Sequence, residues 1–383
     1  MWKHFAANAL TMLIVGLVVL AGLAAMAQRS FVAQGPLQQA ICLRVAPGAS
    51  LRAVTQSLEE QGAISSAMLF RVGAQYDGRD SQLRFGSYLV PAGVSMTEIL
   101  DIVTRGGAST CGTEVVLRVG IAQAEYLVRE LNPVTNRFAD VLELPLETAE
   151  FPAAYQTVAE LADTRFRIAI AEGATSWQVM TALNSAEFLA GQIHDVPAEG
   201  TLSPDSYEVR RGADRMELIG EMQARQIATL AAAWETRAEG LPLANAQEAL
   251  ILASIVEKET GIAGERGVVA SVFINRLNTP MRLQTDPTVI YGITAGQRVL
   301  GRGLRRSELN AETPYNTYRI DGLPPTPIAN PGRASIEAVL NPEATDYLFF
   351  VADGTGGHVF AETLAEHNRN VAQWRQIEAE RDQ

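Results

Sequence analysis

The longest apolar run in the chain lies at its start, where Phe5 to Ala27 holds mostly Ala, Leu, Val, Ile and Met, with Asn8 and Thr11 as clear polar interruptions. At about 1.5 Å per residue, a helix of that length spans the roughly 30 Å hydrocarbon core of a bilayer. Lys3 and the α-amine precede it, which favours a cytoplasmic N-terminus and export of the chain beyond the run. Ala25-Met26-Ala27 also fits the cleavage pattern of a signal peptide, but the run exceeds the usual apolar segment of about 7–15 residues, which favours an anchor over residues 1–28. Residues 29–39 read as a short linker.

Beyond the linker one pattern occurs three times: a short apolar strand, a turn with Gly, a Ser or Thr, and a helix. The copies run Leu43 to Ser50 with Val54 and Leu58, Tyr88 to Ser95 with Ile99, Leu100 and Val103, and Ile168 to Thr175 with Val179, Met180 and Leu183. Gly permits the turn, and the hydroxyl caps the helix by accepting a bond from its first free amides. Residues 40–112 hold two copies, which predicts a small β-α-α-β module. That arrangement resembles a LysM-like domain, a module associated with N-acetyl-sugar polymers. Residues 113–200 read as mixed strand and helix, with an apolar strand Val115 to Val119, and Gly200 and Pro204 then mark a loop. Helical spacing predicts a long helix over Met216 to Glu239 and another over Ala246 to Thr260, closed by Gly261.

The predicted fold class is α+β: a transmembrane helix, the small module, then a mixed α/β catalytic region over 113–376 and a polar tail at 377–383. Composition fits a globular chain, with 47% hydrophobic and 19% charged among 383 residues. A formal net charge of −12 argues against nucleic acid as a partner, since phosphate binding needs a basic surface. The two cysteines, Cys42 and Cys111, either pair across the module or serve as small apolar side chains. With four scattered histidines they offer no metal-ligand spacing, and no cofactor is expected.

Candidate chemistry concentrates in Glu257 and Glu259, two acids near the end of the second helix. Two positions are about 200° apart on a helix, so the two cannot serve one cleft. Glu259 shares a face with Leu252, Ile255 and Val256, and Glu257 with Leu250, Ala253 and Ser254. Phase therefore predicts that the apolar face carries Glu259 inward. Desolvation and the negative end of the helix dipole should both raise its pKa, as a general acid requires. A salt bridge to Arg266 or Arg276 is the competing role.

The blocks LASIVEKETG (252–261), Gly264-Glu265-Arg266, VASVFINRL (269–277) and MRLQTDPTVIYG (281–292) resemble the YceG-like, or endolytic murein transglycosylase, family. So do TPYNTY (313–318), GLPPTPIANPG (322–332) and FVADGTGGHVFAETLAEHN (350–368), and upstream EGTLSPDSY (199–207) resembles the family's acidic loop. The resemblance implies that Glu259, the second Glu of the triplet, is the catalytic acid/base. It implies cleavage between N-acetylmuramic acid and N-acetylglucosamine, without water, leaving 1,6-anhydro ends. It further implies a single-pass protein of the inner membrane with its catalytic region periplasmic, with peptidoglycan strands as substrate and peptidoglycan synthases as partners; the anchor itself limits a cutter to glycan near the membrane, which suggests newly made strands.

Candidate substrate contacts are Gln284, Thr285 and Asp286 before a Pro-induced bend, Asn275 and Arg276 on a helix, and Tyr315, Asn316 and Tyr318, whose flat faces and polar tips suit sugars. His358 and Asn368 are expected to close the site from the C-terminal segment, and residues 294–312 read as a mobile loop. Two departures from the family stand out: Asn278-Thr279-Pro280 occurs where a Gly is common, and Ser203 replaces a large aromatic. Two rival readings are a non-catalytic glycan-binding scaffold and a muramidase-type hydrolase using Asp286 beside Glu259.

Overall fold

The computed structural model describes residues 2–106 and 109–381. In chain order the elements are α1 (Trp2–Val32), β1 (Ile41–Val45), α2 (Leu51–Glu60), α3 (Ala67–Tyr76), β2 (Gly86–Val90), α4 (Met96–Arg105), β3 (Thr113–Val119), β4 (Ala124–Asn132), β5 (Arg137–Pro145), α5 (Ala153–Glu160), β6 (Arg165–Ile170), α6 (Ser176–Ser185), β7 (Leu189–Ala190), β8 (Ser206–Val209) and β9 (Ala213–Asp214). They continue as α7 (Arg215–Glu235), α8 (Ala246–Glu259), α9 (Arg266–Asn278), α10 (Asp286–Thr294), α11 (Arg306–Leu309), α12 (Arg333–Leu340), β10 (Phe349–Ala352), β11 (His358–Ala361) and α13 (Leu364–Arg381). The fold is α+β. Five strands form a sheet of order β5-β4-β3-β6-β8, and the others pair as β1-β2, β7-β9 and β10-β11. The chain divides into two compact units, one of residues 1–115, 127–143 and 149–165, the other of 116–126, 144–148 and 166–383.

In the first unit β1 and β2 pair antiparallel, Ile41 opposite Val90 and Val45 opposite Gly86. With α2 and α3 between them they make the expected β-α-α-β arrangement, closed over Leu43, Leu58, Phe70, Val90, Ile99 and Leu100. The repeated strand-turn-helix pattern has one physical basis in each copy. Gly48, Gly93 and Gly173 adopt φ near +70 to +80°, a region costly for residues with a Cβ. Ser50, Ser95 and Thr175 then accept from the backbone N–H three residues on, at 3.2, 3.3 and 3.2 Å. Cys42 and Cys111 form a disulfide.

Asn8–Val32 is one helix long and apolar enough to cross a membrane. The residues expected to form a linker after it are packed instead. Phe31 and Leu37 join the core of the first unit, and backbone bonds run from Gly35 N–H to Gly93 O at 3.2 Å and from Gly93 N–H to Leu37 O at 2.9 Å. Isolated apolar residues in a polar stretch carry no periodic signal, yet these two find core positions, while Val32 between them is 60% exposed. At the other end, the expected tail belongs to α13 as far as Arg381, and its last two residues lie outside the described residues.

In the second unit α8 is the central helix. Every residue from Ala249 to Glu257 is buried, in a core shared with Val269, Phe273, Ile328, Ile336 and Leu340. The helix begins at Asn245, whose side chain accepts from Glu248 N–H at 3.0 Å. It ends on Thr260 in extended conformation rather than on a left-handed Gly261. The Thr260 hydroxyl supplies the stop, accepting from Ile262 N–H at 3.0 Å. The long preceding helix spans Arg215–Glu235, shorter than predicted, because a turn at Thr236 closes on Ala233 O. Residues 294–312 are not bare loop, since they contain α11.

Candidate active site

Because α8 is surrounded, both of its terminal carboxylates point into protein, on opposite sides. Glu257 is 9% exposed and accepts from Gly332 N–H at 3.0 Å and the Ser335 hydroxyl at 2.7 Å, with Arg266 at 3.8 Å. Gly332 is the N-cap of α12 and Ser335 lies in its first turn, where free amides and the helix dipole favour an anion. Phase separates the two acids as predicted, but Glu257 does not occupy the more open face. It pins α8 to α12.

Glu259 meets different chemistry. As a residue it is only partly buried, and the Thr285 hydroxyl donates to Oε1. Burial raises its carboxyl pKa above the ordinary value, opposed by the Thr285 hydrogen bond, supported by the nearby charge of Asp286, and opposed again by His358 and Arg276. It makes neither of the salt bridges considered for it among the described residues; Arg266 pairs with Glu257 and Glu172.

Thr285 is held rigidly. Its N–H donates to Thr317 Oγ1 at 3.0 Å, its carbonyl accepts from Thr288 Oγ1 at 2.8 Å, and the Thr288 and Thr317 hydroxyls are 2.8 Å apart. Gln284, exposed, turns the chain with φ of 50°, an uncommon conformation for a residue with a Cβ. Asp286 opens α10 and accepts from the Tyr318 hydroxyl at 2.7 Å, while burial pushes the Tyr318 pKa up.

Arg276 is 6% exposed, donates to Leu348 O at 2.7 Å and to Leu283 O, and has its pKa lowered by burial to about 10. It thus ties the segment before Thr285 to the C-terminal hairpin. The His358 ring nitrogen Nδ1 lies 2.8 Å from Glu265 Oε2, and its backbone N–H donates to Oε1 at 2.9 Å. The Thr260 hydroxyl donates to the same carboxylate at 3.4 Å. Burial pushes the Glu265 pKa up, but these hydrogen bonds outweigh it and hold the carboxyl below its usual range. Glu265 therefore joins the residue after Glu259 to β11.

Glu259, Thr285, Asp286, Arg276, Tyr318 and His358 form one cluster. The other candidates are placed differently. Asn316 is fully buried and its amide donates to the carbonyls of Glu308, Leu309 and Ala311 at 3.2, 3.1 and 2.6 Å, so its side chain shapes a turn and has no reach to a sugar. Asn275 donates to Thr345 O and Tyr347 O at 2.7 and 3.0 Å. Tyr315 bonds Thr326 at 2.8 Å and packs against Tyr291, with ring centroids 5.1 Å apart. Asn368 is exposed on α13.

Two acids carried no assignment from sequence. Glu265 lay inside a recognised block without a role. Glu199 opens the EGTLSPDSY segment and accepts from Ser176 N–H at 2.8 Å and the Tyr291 hydroxyl at 3.2 Å, and burial raises its pKa. Neither has periodicity or spacing that would single it out. A cavity of about 570 Å³ in the same unit is lined by Thr229, Arg266, Gly267, Arg333 and Glu337 among others, and none of the Glu259 cluster lines it.

The chain resembles known proteins over most of its length. A family model described as the YceG-like family matches residues 43–159 and 151–373. An endolytic murein transglycosylase of Bacillus subtilis is 29% identical over 330 residues, covering 85% of this chain and 82% of the relative. One from Streptococcus pneumoniae is 27% identical over 340 residues, covering 87% of this chain and 58% of the longer relative. The crystal structure of a yceG-like protein from Listeria monocytogenes is 25% identical, covers 86% of this chain and 99% of that one, and superposes with a TM-score of 0.44.

Proposed function

The chain belongs to the YceG-like family, and from that membership we propose that it is a membrane-anchored lytic transglycosylase that cuts within peptidoglycan strands, with Glu259 as its single acid/base. The observation that carries the reading is Glu259 itself: a carboxyl whose pKa burial raises, fixed at one oxygen by Thr285, on a residue that is only partly buried. Thr285 occupies Oε1, which leaves Oε2 for the sugar. In protonated form Glu259 gives its proton to the oxygen linking N-acetylmuramic acid to N-acetylglucosamine, and the bond from C1 to that oxygen breaks. The muramyl C6 hydroxyl then closes onto C1, and its proton passes to the Glu259 carboxylate. The acid is regenerated, no water enters, and one carboxyl serves both steps.

The neighbours have distinct parts in this scheme. Arg276 and His358 limit how far the pKa rises, so that Glu259 can also act as a base. Tyr318 and Asp286, linked by a hydrogen bond, present an aromatic face and a polar tip beside the acid, which suits a sugar ring. Gln284 stands exposed at the same bend. The β-α-α-β arrangement supports a LysM-like module for binding glycan. An anchored enzyme reaches glycan near the membrane, which favours newly made strands as substrate and peptidoglycan synthases as neighbours.

Mass spectrometry of glycan strands after incubation with the enzyme tests the reaction. The expected products carry 1,6-anhydro ends, lighter than reducing ends by one water. Reducing ends would replace the scheme with hydrolysis through Asp286, and unchanged strands would leave a binding scaffold. The role of Thr285 has its own signature. Its hydroxyl favours the Glu259 anion, so Thr285→Val should raise the pKa of the acid and move the alkaline limb of the kcat profile to higher pH. A limb that stayed put or moved down would remove Thr285 from the proton chemistry.

A further inference from the structure

The anchor and the first unit meet without a joint. Helix α1 is exposed on every side from Asn8 to Met26, yet Phe31, four residues beyond the apolar run, is buried in the core of the unit. Its ring lies 6.1 Å from that of Phe70 on α3. Gly73 of α3 sits against the same ring so closely that any Cβ there would collide with it. The carbonyl of Phe31 accepts from the Thr97 hydroxyl at 3.4 Å, and the backbone beyond it pairs with Gly93. The final turn of the span is therefore a core element of the folded unit.

This weld fixes a height. The apolar run ends at Ala27, and Gln28, Arg29 and Ser30 come next. Phe31 stands four residues further, about 6 Å along a helix. The headgroup layer of a bilayer is roughly 5–8 Å deep on each side. Any helix in ring contact with Phe31 thus lies at headgroup level.

Helix α3 is that helix, and one of its faces is left uncovered among the described residues. Met68, Val72 and Tyr76, spaced i, i+4, i+8, are 70%, 54% and 92% exposed. Three large apolar side chains in register on a ten-residue helix are a patch rather than a scatter, and a patch of this kind marks an interaction site. A Tyr at its end suits a boundary where an apolar body meets a wet surface.

We propose that the Met68-Val72-Tyr76 face of α3 rests in the headgroup layer of the membrane that α1 spans, so that the first unit is held to the lipid surface at two places. The occupant is lipid because the weld at Phe31 brings α3 to lipid whatever else is present, whereas a protein partner would have to find it there. The proposal rests on the reading of α1 as a membrane anchor, and the test separates the two.

The full chain is reconstituted in phosphatidylethanolamine and phosphatidylglycerol vesicles containing nitroxide-labelled lipid. It carries a single fluorophore at Val72→Cys or, in a second preparation, at Val18→Cys; both native cysteines are in the disulfide. The expected result is quenching by the lipid nitroxide at both positions, with the label at 72 shielded from iodide. Quenching at 18 without quenching at 72 would overturn the proposal and leave the anchor standing. Shielding from iodide at 72 without lipid quenching would overturn it in favour of a protein contact, such as a second copy of this chain. No lipid quenching at either position would remove the anchor reading and the proposal together. Met68→Cys repeats the measurement at a second exposed site, so an outcome peculiar to one label is recognised.

Discussion

Glu259→Gln should lose cleavage by about 10²–10⁴-fold, the range attributed to a positioned general acid/base, while the folded protein becomes more stable. The sign comes from linkage. Burial raises the folded-state pKa of Glu259, so the folded state holds the proton more tightly than the unfolded chain does. The stability this gives is present in full below the unfolded-state pKa and is lost as pH rises through the folded-state value. At neutral pH the carboxyl is therefore a burden on folding, and a neutral amide of the same shape relieves it. A gain of about 0.5–2 kcal/mol is the expected scale, or a few degrees in Tm. Glu257→Gln should behave oppositely. It removes the charge held by the α12 amide, Ser335 and Arg266, at a cost of about 1–3 kcal/mol. Cleavage per folded molecule should survive. Product assays and melting curves on the two variants decide the matter, and an active Glu259→Gln with an inactive, stable Glu257→Gln would exchange their roles.

The second large effect is expected from the disulfide. Cys42 and Cys111 are 69 positions apart, and closing a loop of that length restricts the unfolded chain by about 4 kcal/mol in the chain-entropy view. Replacing both by Ser should lower the melting temperature of the first unit by roughly 8–16 °C. A reductant should lower the natural protein to the same point and leave the double variant unmoved. Equal melting of natural and double-variant protein would mean that the closed loop constrains little, through structure kept in the unfolded state.

Local chemistry was the most legible part of the sequence. The three helix starts at Ser50, Ser95 and Thr175 involve only residues three apart, and each cap has the predicted geometry. Helical phase on α8 also separates Glu257 from Glu259. It ranked their burial the wrong way round, because a helix enclosed on all sides carries no polar face for periodicity to find. What encloses Glu257 comes from Gly332 and Ser335, 75 and 78 positions away. Phe31 and Leu37 looked like linker residues for a related reason: their partners Phe70 and Gly93 lie outside any local window. Asn316 illustrates a different limit. An Asn beside two tyrosines suits a sugar as well as it suits a turn, and only the three carbonyls around it distinguish the two. Glu265 was visible inside a recognised block, but its link between Thr260 and His358 depends on a strand 93 positions later.

The clamp at Asn316 has an architectural consequence. Its amide gathers the carbonyls of residues 308, 309 and 311 immediately before Thr317, which in turn holds Thr285 beside Glu259. Chain arriving from the end of α10 is thus anchored before it reaches the catalytic neighbourhood. The stretch from Gln297 to Gly301 is largely exposed, and the bracket begins after it, where Arg302 pairs with Glu308 at 2.6 Å. Lengthening the exposed stretch adds little closure entropy, since each doubling of a flexible loop costs only about 0.6 kcal/mol. A short insertion after Val299 should therefore leave cleavage intact, because the bracket at Asn316 stands between it and the acid.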